Sequence, residues 1–354
     1  MERLEFERFA NEILSRLPTN CVARLRCVSK QWRYELLSHL FAIIHYRRMA
    51  NNPYRKVIML NKTSIDIHNL IGGKLDISSR KIISFPVDTH LSNLIILASQ
   101  YGILLLCIQW RPNELILWNP TTNQILNSCD KKPKFFFDLR EDAVGIYMDS
   151  SNDLKILLLQ CRKDDVIPRV YSRNTCEWKT LTFLKGADYA SSLYWWSSGT
   201  LCNNVLYFPS PHYWTPAKSY TIAFDVESET FSKVSIPQST DVIGRQTCFI
   251  NIRNTLHMFI VGETPQTNVK LYKFEDDLWS GVSSFTNVKL FYSFDSWRNE
   301  LAENKGDTWS VQIDRCGIFD IQCGLKDFQY FHDVETFQGL HNVASYEETV
   351  VSPI

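Results

Sequence analysis

Long apolar runs are missing from this chain. The longest, ILLLCI from Ile103 to Ile108, has six residues, where a helix crossing a bilayer needs about 20. Membrane insertion by a helix is therefore excluded. The N-terminus is charged and lacks the apolar core of a secretory signal, so the chain is expected in the cytosol or nucleus with its thiols reduced. Ten cysteines include no C-x-x-C pair, and no histidines stand at finger-like spacing, which argues against zinc. Also absent are G-x-S-x-G, a P-loop, H-E-x-x-H and the kinase signatures. Eight histidines are dispersed, and His90, His212 and His257 read as exposed or satisfied core residues rather than general bases. No catalytic residue, metal ligand or cofactor site is expected.

Net charge is also missing, but only on average. Residues 1 to 56 hold eleven Lys or Arg against five Asp or Glu, and the remainder holds 27 against 33, so a head at +6 precedes a body at −6. The basic head lacks the Gly-rich or aromatic-interleaved pattern of a nucleic-acid binder. An acidic protein partner fits it better.

What is present is a globular composition, 45% apolar and 13% aromatic, over 354 residues, a length that calls for two domains or one large repetitive one. The head comes first. Phe9, Ala10, Ile13, Leu14 and Leu17 recur at helical spacing until Pro18, which ends the helix because the residue before proline disfavours the α region. Thr19 or Asn20 can cap a second helix lined by Val22, Leu25 and Val28. Ser29 can cap a third whose Trp32, Leu36 and Leu37 face inward while Lys30, Gln31, Arg33 and Glu35 stay solvated. The segment HLFAIIHYRRM extends the pattern, with Phe41, Ile44 and Met49 against the body, before Asn51, Asn52 and Pro53 break it. So short a bundle is marginal unless it packs on something larger, which makes a partner surface plausible.

These residues resemble an F-box, the module that docks substrate receptors on the small Skp adaptor of cullin-RING ubiquitin ligases. The likeness rests on EILSRLP at Glu12 to Pro18, then Arg24, then RCVSKQW at Arg26 to Trp32, a pattern of plant members. It implies that Ile13, Leu14, Leu17, Pro18, Leu25, Val28, Lys30 and Trp32 form or support the adaptor interface. One departure stands out: Glu5 and Phe6 occupy the places where members usually carry a Leu-Pro pair. If that edge is a hot spot, the loss costs roughly 1–3 kcal/mol of adaptor affinity, with Leu4 and Phe6 as substitutes.

The body repeats. SIDIHNLIGGKLDI, LILWNPTTNQIL, PRVYSRNTCEWKTL, TIAFDVESETFSKV, VKLYKFEDDLWSGV and GIFDIQCGLKDFQYF each pair two apolar strands across a polar turn. With Ile67, Trp118, Tyr171, Phe224, Tyr272 and Phe319 as equivalents, the spacings are 51, 53, 53, 48 and 47 residues. Further apolar runs supply about four strands per unit, the arithmetic of a β-propeller of about six blades. Ring closure is expected between the terminal stretch Asn342 to Pro353 and Val57 to Leu60.

The body also resembles the F-box-associated, kelch-like domain of plant F-box proteins, carried by YGILLL, LWNPTT, SNDLKIL, AFDVESETF and SYEETVVSP. The expected architecture is thus an α+β multidomain chain: a three-helix F-box over 1–50, a linker over 51–56, and an all-β propeller-like domain over 57–354. The implied function is that of a non-catalytic substrate receptor for an SCF-type ligase, with an unidentified protein substrate. A propeller protein that binds or inhibits other proteins through a degenerate F-box is the runner-up. The Tyr, Cys and His ligands of copper-using propeller oxidases have no counterparts, and a carbohydrate-processing enzyme would need a bound metal or turnover on glycans. Among aromatic stretches, the loop bearing His212, Tyr213 and Trp214 is the candidate substrate contact, since exposed aromatics anchor interfaces.

Overall fold

The computed structural model describes residues 3–49, 55–60, 63–71, 74–108, 111–127, 142–162, 165–184, 199–208, 220–237, 246–252, 254–261, 269–285, 288–290, 309–311, 342–346 and 348. The head holds α1 (Arg3–Glu12), a 3₁₀ turn (Leu14–Arg16), α2 (Thr19–Leu25), α3 (Lys30–Leu36) and α4 (His39–Met49). The first helix is shorter than its periodicity predicts. Arg48 of α4 donates to the Glu12 carbonyl at 2.9 Å and to Ser15 Oγ at 2.5 Å, and the chain tightens into the 3₁₀ turn where these bonds take up freed backbone groups.

Ser29 caps α3 as expected, its Oγ accepting from the Trp32 N–H at 3.2 Å. Thr19 caps nothing. Pro18 stands at the N-cap of α2, and the Thr19 hydroxyl instead reaches the carbonyl of Glu348 at 3.0 Å. Glu35, expected in solvent, is buried, and Leu37, expected inside, is 44% exposed because α3 stops one residue before it.

The body is an all-β propeller. Its first sheet orders β22 (Asn342–Tyr346), β1 (Arg55–Leu60), β2 (Ile65–Ile71) and β3 (Lys74–Ile83). The second runs β4 (Leu94–Gln100), β5 (Ile103–Ile108), β6 (Arg111–Asn119), β7 (Gln124–Asn127), and the third β8 (Ala143–Met148), β9 (Leu154–Arg162), β10 (Asp165–Ser172), β11 (Glu177–Thr180). The fourth runs β12 (Thr200–Cys202), β13 (Val205–Phe208), β14 (Tyr220–Asp225), β15 (Thr230–Ser235), and the fifth β16 (Gln246–Ile252), β17 (Thr255–Val261), β18 (Val269–Glu275), β19 (Leu278–Phe285). Each is an antiparallel meander, and β20 (Val288–Leu290) pairs in parallel with β21 (Trp309–Val311). The described residues therefore contain five four-stranded blades where the repeat predicts about six; the sixth repeat, 317–331, lies outside the described residues.

Ring closure follows the expectation. β22 pairs with β1 in the register Lys56 to Tyr346 through Leu60 to Asn342, so the chain's two ends complete one blade. Trp118, Tyr171 and Phe224 are equivalent and buried, each preceding a turn opened by Asn119, Ser172 or Asp225. Asn119 Oδ1 accepts from Thr121 N at 2.8 Å, and Asp225 Oδ1 from Ser228 N at 2.8 Å. Each turn ends on a left-handed residue, Asn123, Cys176 or Glu229. Ile67 and Tyr272 are not in this series. Their strands run on to Ile71 and Glu275 before turning, so Leu70 and Phe274 take the equivalent places.

The core of the head is continuous with that of the propeller: Phe6, Ala10, Leu14, Val22, Leu36 and Phe41 belong to one cluster with Leu105, Leu117, Ile146 and Leu158. Tyr46 of α4 meets Tyr101, in the β4–β5 turn, edge to face at 5.1 Å. The larger object on which the small bundle leans is thus its own propeller. Among the described residues no helix is long and apolar enough to cross a membrane.

Candidate adaptor-docking site

The structure divides the eight residues of the expected docking site into two groups. Leu14 is 4% exposed and belongs to the core, while Leu17, Leu25 and Trp32 pack against it half-buried. The Trp32 ring lies 5.1 Å from Phe6 and 6.3 Å from Phe9. Ile13 (52%) and Val28 (60%) are exposed, as are Pro18 and Lys30. An outward apolar pair is therefore held up by an inward set. The pair sits at element boundaries, Ile13 between α1 and the 3₁₀ turn and Val28 between α2 and α3.

Three further exposed apolar residues, Tyr34, Leu37 and Leu40, escape the motif reading. Leu40 falls off the stripe of Phe41, Ile44 and His45, and that mismatch is the signal that marks it. Of the eight large apolar side chains exposed among the described residues, five belong to the head, which concentrates apolar surface on the smaller part of the molecule. Arg24, Lys30 and Arg33 are exposed there without an ion pair among the described residues.

Beneath this surface the electrostatics are those of a dry interior. His45 is fully buried, stacks on Phe41 at 5.9 Å and places Nε2 2.9 Å from the Leu17 carbonyl. Burial pushes its pKa down, the bond to Leu17 resists, and Arg26 adds to the fall, so the ring is neutral with Nε2–H donating. Arg26 Nη2 donates to the Leu36 carbonyl at 3.1 Å, and burial, with Arg33, lowers its pKa. These contacts tie α4 to the turn that carries Leu17 and the end of α2 to α3.

At the edge of the motif, Glu5 is exposed but Phe6 is only 1% exposed. Phe6 is a core residue and presents no interface anchor. His212, Tyr213 and Trp214 lie outside the described residues. His257 is a satisfied core histidine, with Nδ1 3.1 Å from the Thr255 carbonyl. Among the described residues no three His, Cys, Asp or Glu side chains gather where a metal could be held.

Residues 58–255 match the F-box associated beta propeller domain, and residues 10–41 match the F-box domain. This chain belongs to that family. An F-box protein of Arabidopsis thaliana is 26% identical over 243 residues, 64% of this chain and 62% of the relative. A second from the same plant is 23% identical over 251 residues, covering 65% and 63%. An F-box/kelch-repeat protein, also from Arabidopsis thaliana, is 24% identical over 243 residues, covering 64% and 58%. This chain thus spans less than two thirds of the length of these relatives. Among solved structures, an oligogalacturonate lyase in complex with manganese aligns with a TM-score of 0.34 and 10% identity over 65% of this chain and 66% of that one.

Proposed function

We propose that this protein is the substrate receptor of an SCF-type cullin-RING ubiquitin ligase, its F-box docking the Skp adaptor and its propeller holding a protein substrate. The observation that carries this is that Ile13 and Val28 are exposed, as is Lys30, which has no ion pair among the described residues, on a bundle whose inner side is already occupied by the propeller. An apolar patch fringed with cations suits an acidic adaptor with apolar pockets. No catalytic residue is needed, because the receptor would act by bringing a substrate lysine near a ubiquitin-charged enzyme.

The test is titration of purified Skp adaptor into the full chain. The wild type should bind, and the double variant Ile13→Asp, Val28→Asp should lose most affinity while melting at the wild-type temperature. Failure of the folded wild type to bind, or full binding by the variant, would remove the ligase reading. Phe6 turned inward, at the edge where the F-box pattern leads one to expect a Leu-Pro pair, favours the second reading, a protein-binding propeller detached from ligase assembly. That reading predicts no adaptor recovered with the full chain.

A further inference from the structure

Blades four and five form an open cavity of about 540 Å³ that no residue of the head lines. Its walls are Cys202, Tyr207, Leu256 and Phe274, and its mouth is the β18–β19 turn with Glu275, Asp276 and Asp277. Asn203 Nδ2 donates to the Asn254 carbonyl at 2.8 Å across the rim, tying the innermost turns of the two blades together.

The mouth and the wall carry separate signals. Glu275 is neutralised by Lys273 at 2.5 Å, but Asp276 and Asp277 are exposed and have no ion pair among the described residues. Two adjacent carboxylates repel one another, so an unpaired pair is a standing attraction for a cation. The wall supplies the second signal. Cys202 is only 2% exposed and lines the cavity, as does Tyr207, and among the described residues neither the thiol nor the phenol has a hydrogen-bond partner. Burial pushes the Cys202 thiol up to about 11 and, with Cys202 and Asp277, the Tyr207 phenol up to about 12, so both stay protonated and neutral. The Tyr207 and Phe274 rings stand 6.4 Å apart and offer aromatic surface beside the acidic mouth. No metal cluster forms there among the described residues. Separated carboxylates over aromatic rings suit an organic cation, which gains from charge and from ring quadrupoles together.

We propose that this cavity receives a lysine or arginine side chain of a partner protein, Asp276 and Asp277 supplying the charge and Tyr207 and Phe274 the ring surface. The site stands apart from the Ile13 and Val28 surface, so it can be tested without reference to the adaptor.

The experiment titrates the full chain by calorimetry with three blocked tripeptides, acetyl-Gly-Arg-Gly-amide, its lysine counterpart and its citrulline counterpart, at low and high salt. The arginine or lysine peptide should bind saturably and weaken with salt, while citrulline, which keeps the shape without the charge, should bind at least about tenfold more weakly. The double variant Asp276→Asn, Asp277→Asn should lose about tenfold or more for the cationic peptides. Asn tolerates the left-handed backbone at φ 50 and 61, so the variant should melt no lower than wild type. Tyr207→Phe is a second variant that leaves the turn untouched and should weaken binding less than the loss of charge. Equal binding of the citrulline peptide, undiminished binding by the folded Asn variant, stronger displacement of peptide by calcium chloride than by sodium chloride of equal ionic strength, or no saturable binding of any peptide would overturn the proposal.

Discussion

The hydroxyl of Thr19, at the first turn of α2, donates to the main-chain carbonyl of Glu348 at 3.0 Å across 329 positions of sequence. Two residues beyond the ring-closing strand, the same Glu348 accepts from Lys56 Nζ at 2.7 Å through its carboxylate. One residue therefore ties the F-box, the entry to β1 and the end of β22. Head orientation and ring closure are coupled at this point.

Thr19 is only 3% exposed and Glu348 is half-buried, so Thr19→Val keeps the volume but removes the donor from the Glu348 carbonyl. The expected cost is about 1–3 kcal/mol, read as a lower midpoint in chemical denaturation of the full chain. Unchanged stability would mean that water replaces the bond and that the latch is open in solution.

Much of this architecture was legible because its signals are local. Trp118, Tyr171 and Phe224 each stand one residue before a turn-opening Asn, Ser or Asp whose side chain bonds the turn, so spacing and chemistry coincide. Ile67 and Tyr272 fall outside the series because their strands continue to Ile71 and Glu275 before turning, and the residues that follow them, His68 and Lys273, open no turn. The residues expected to dock were legible as a motif but not as surfaces. Leu14 and Ile13 are neighbours in sequence, yet one is core and the other is 52% exposed, a difference made by the 3₁₀ turn that Arg48 holds from another helix. The destination of the Thr19 hydroxyl was beyond reach, since nothing near Thr19 in sequence names Glu348.

His45 gives the head an acid limit. Its folded pKa lies below the usual histidine value, chiefly through burial, whereas the unfolded ring titrates near 6.5. The unfolded state thus binds the extra proton first, so the His45 contribution is complete above about 6.5 and is lost as pH falls through the folded value. His257 shifts the same way, so the comparison is between wild type and His45→Phe, which share it. Unfolding measured at pH 7.5 and 5.5 should show a shallower loss in the variant. Parallel losses would show that the ring is not titrating at this site.

The two groups within the docking motif should separate by measurement. Leu14→Ala removes a core side chain and should cost about 2–5 kcal/mol of stability. Val28→Asp alters a position that is 60% exposed and should change stability by less than about 0.5 kcal/mol, while weakening adaptor binding. Thermal midpoints and adaptor titrations on both full-length variants check this. A stable Leu14→Ala protein would contradict the placement of Leu14 in the core.

Between blades three and four, Lys155 Nζ sits 2.7 Å from Glu229 Oε1 and 3.0 Å from Asp149 Oδ2, and all three side chains are less than a fifth exposed. Glu229 also takes Lys179 at 3.0 Å and holds a left-handed backbone at φ 51, an unfavourable conformation for glutamate that the bonds sustain. Burial alone would raise the Glu229 carboxyl, but Lys155 and Lys179 outweigh it and hold it below the usual range; at Asp149, Ser151 and Lys155 likewise overcome burial. Both carboxylates therefore stabilise the fold above about pH 4 and lose that effect as pH falls through their folded values. Lys155→Met leaves two carboxylates without their shared cation and should cost about 3 kcal/mol at neutral pH. The penalty should shrink as pH falls, because without Lys155 to hold them down the carboxyls of the variant take up protons and no longer need the lysine. Denaturant midpoints of wild type and variant at pH 7 and pH 3 decide the point: a penalty equal at both would assign the role of Lys155 to packing of its alkyl chain against Tyr147 rather than to charge.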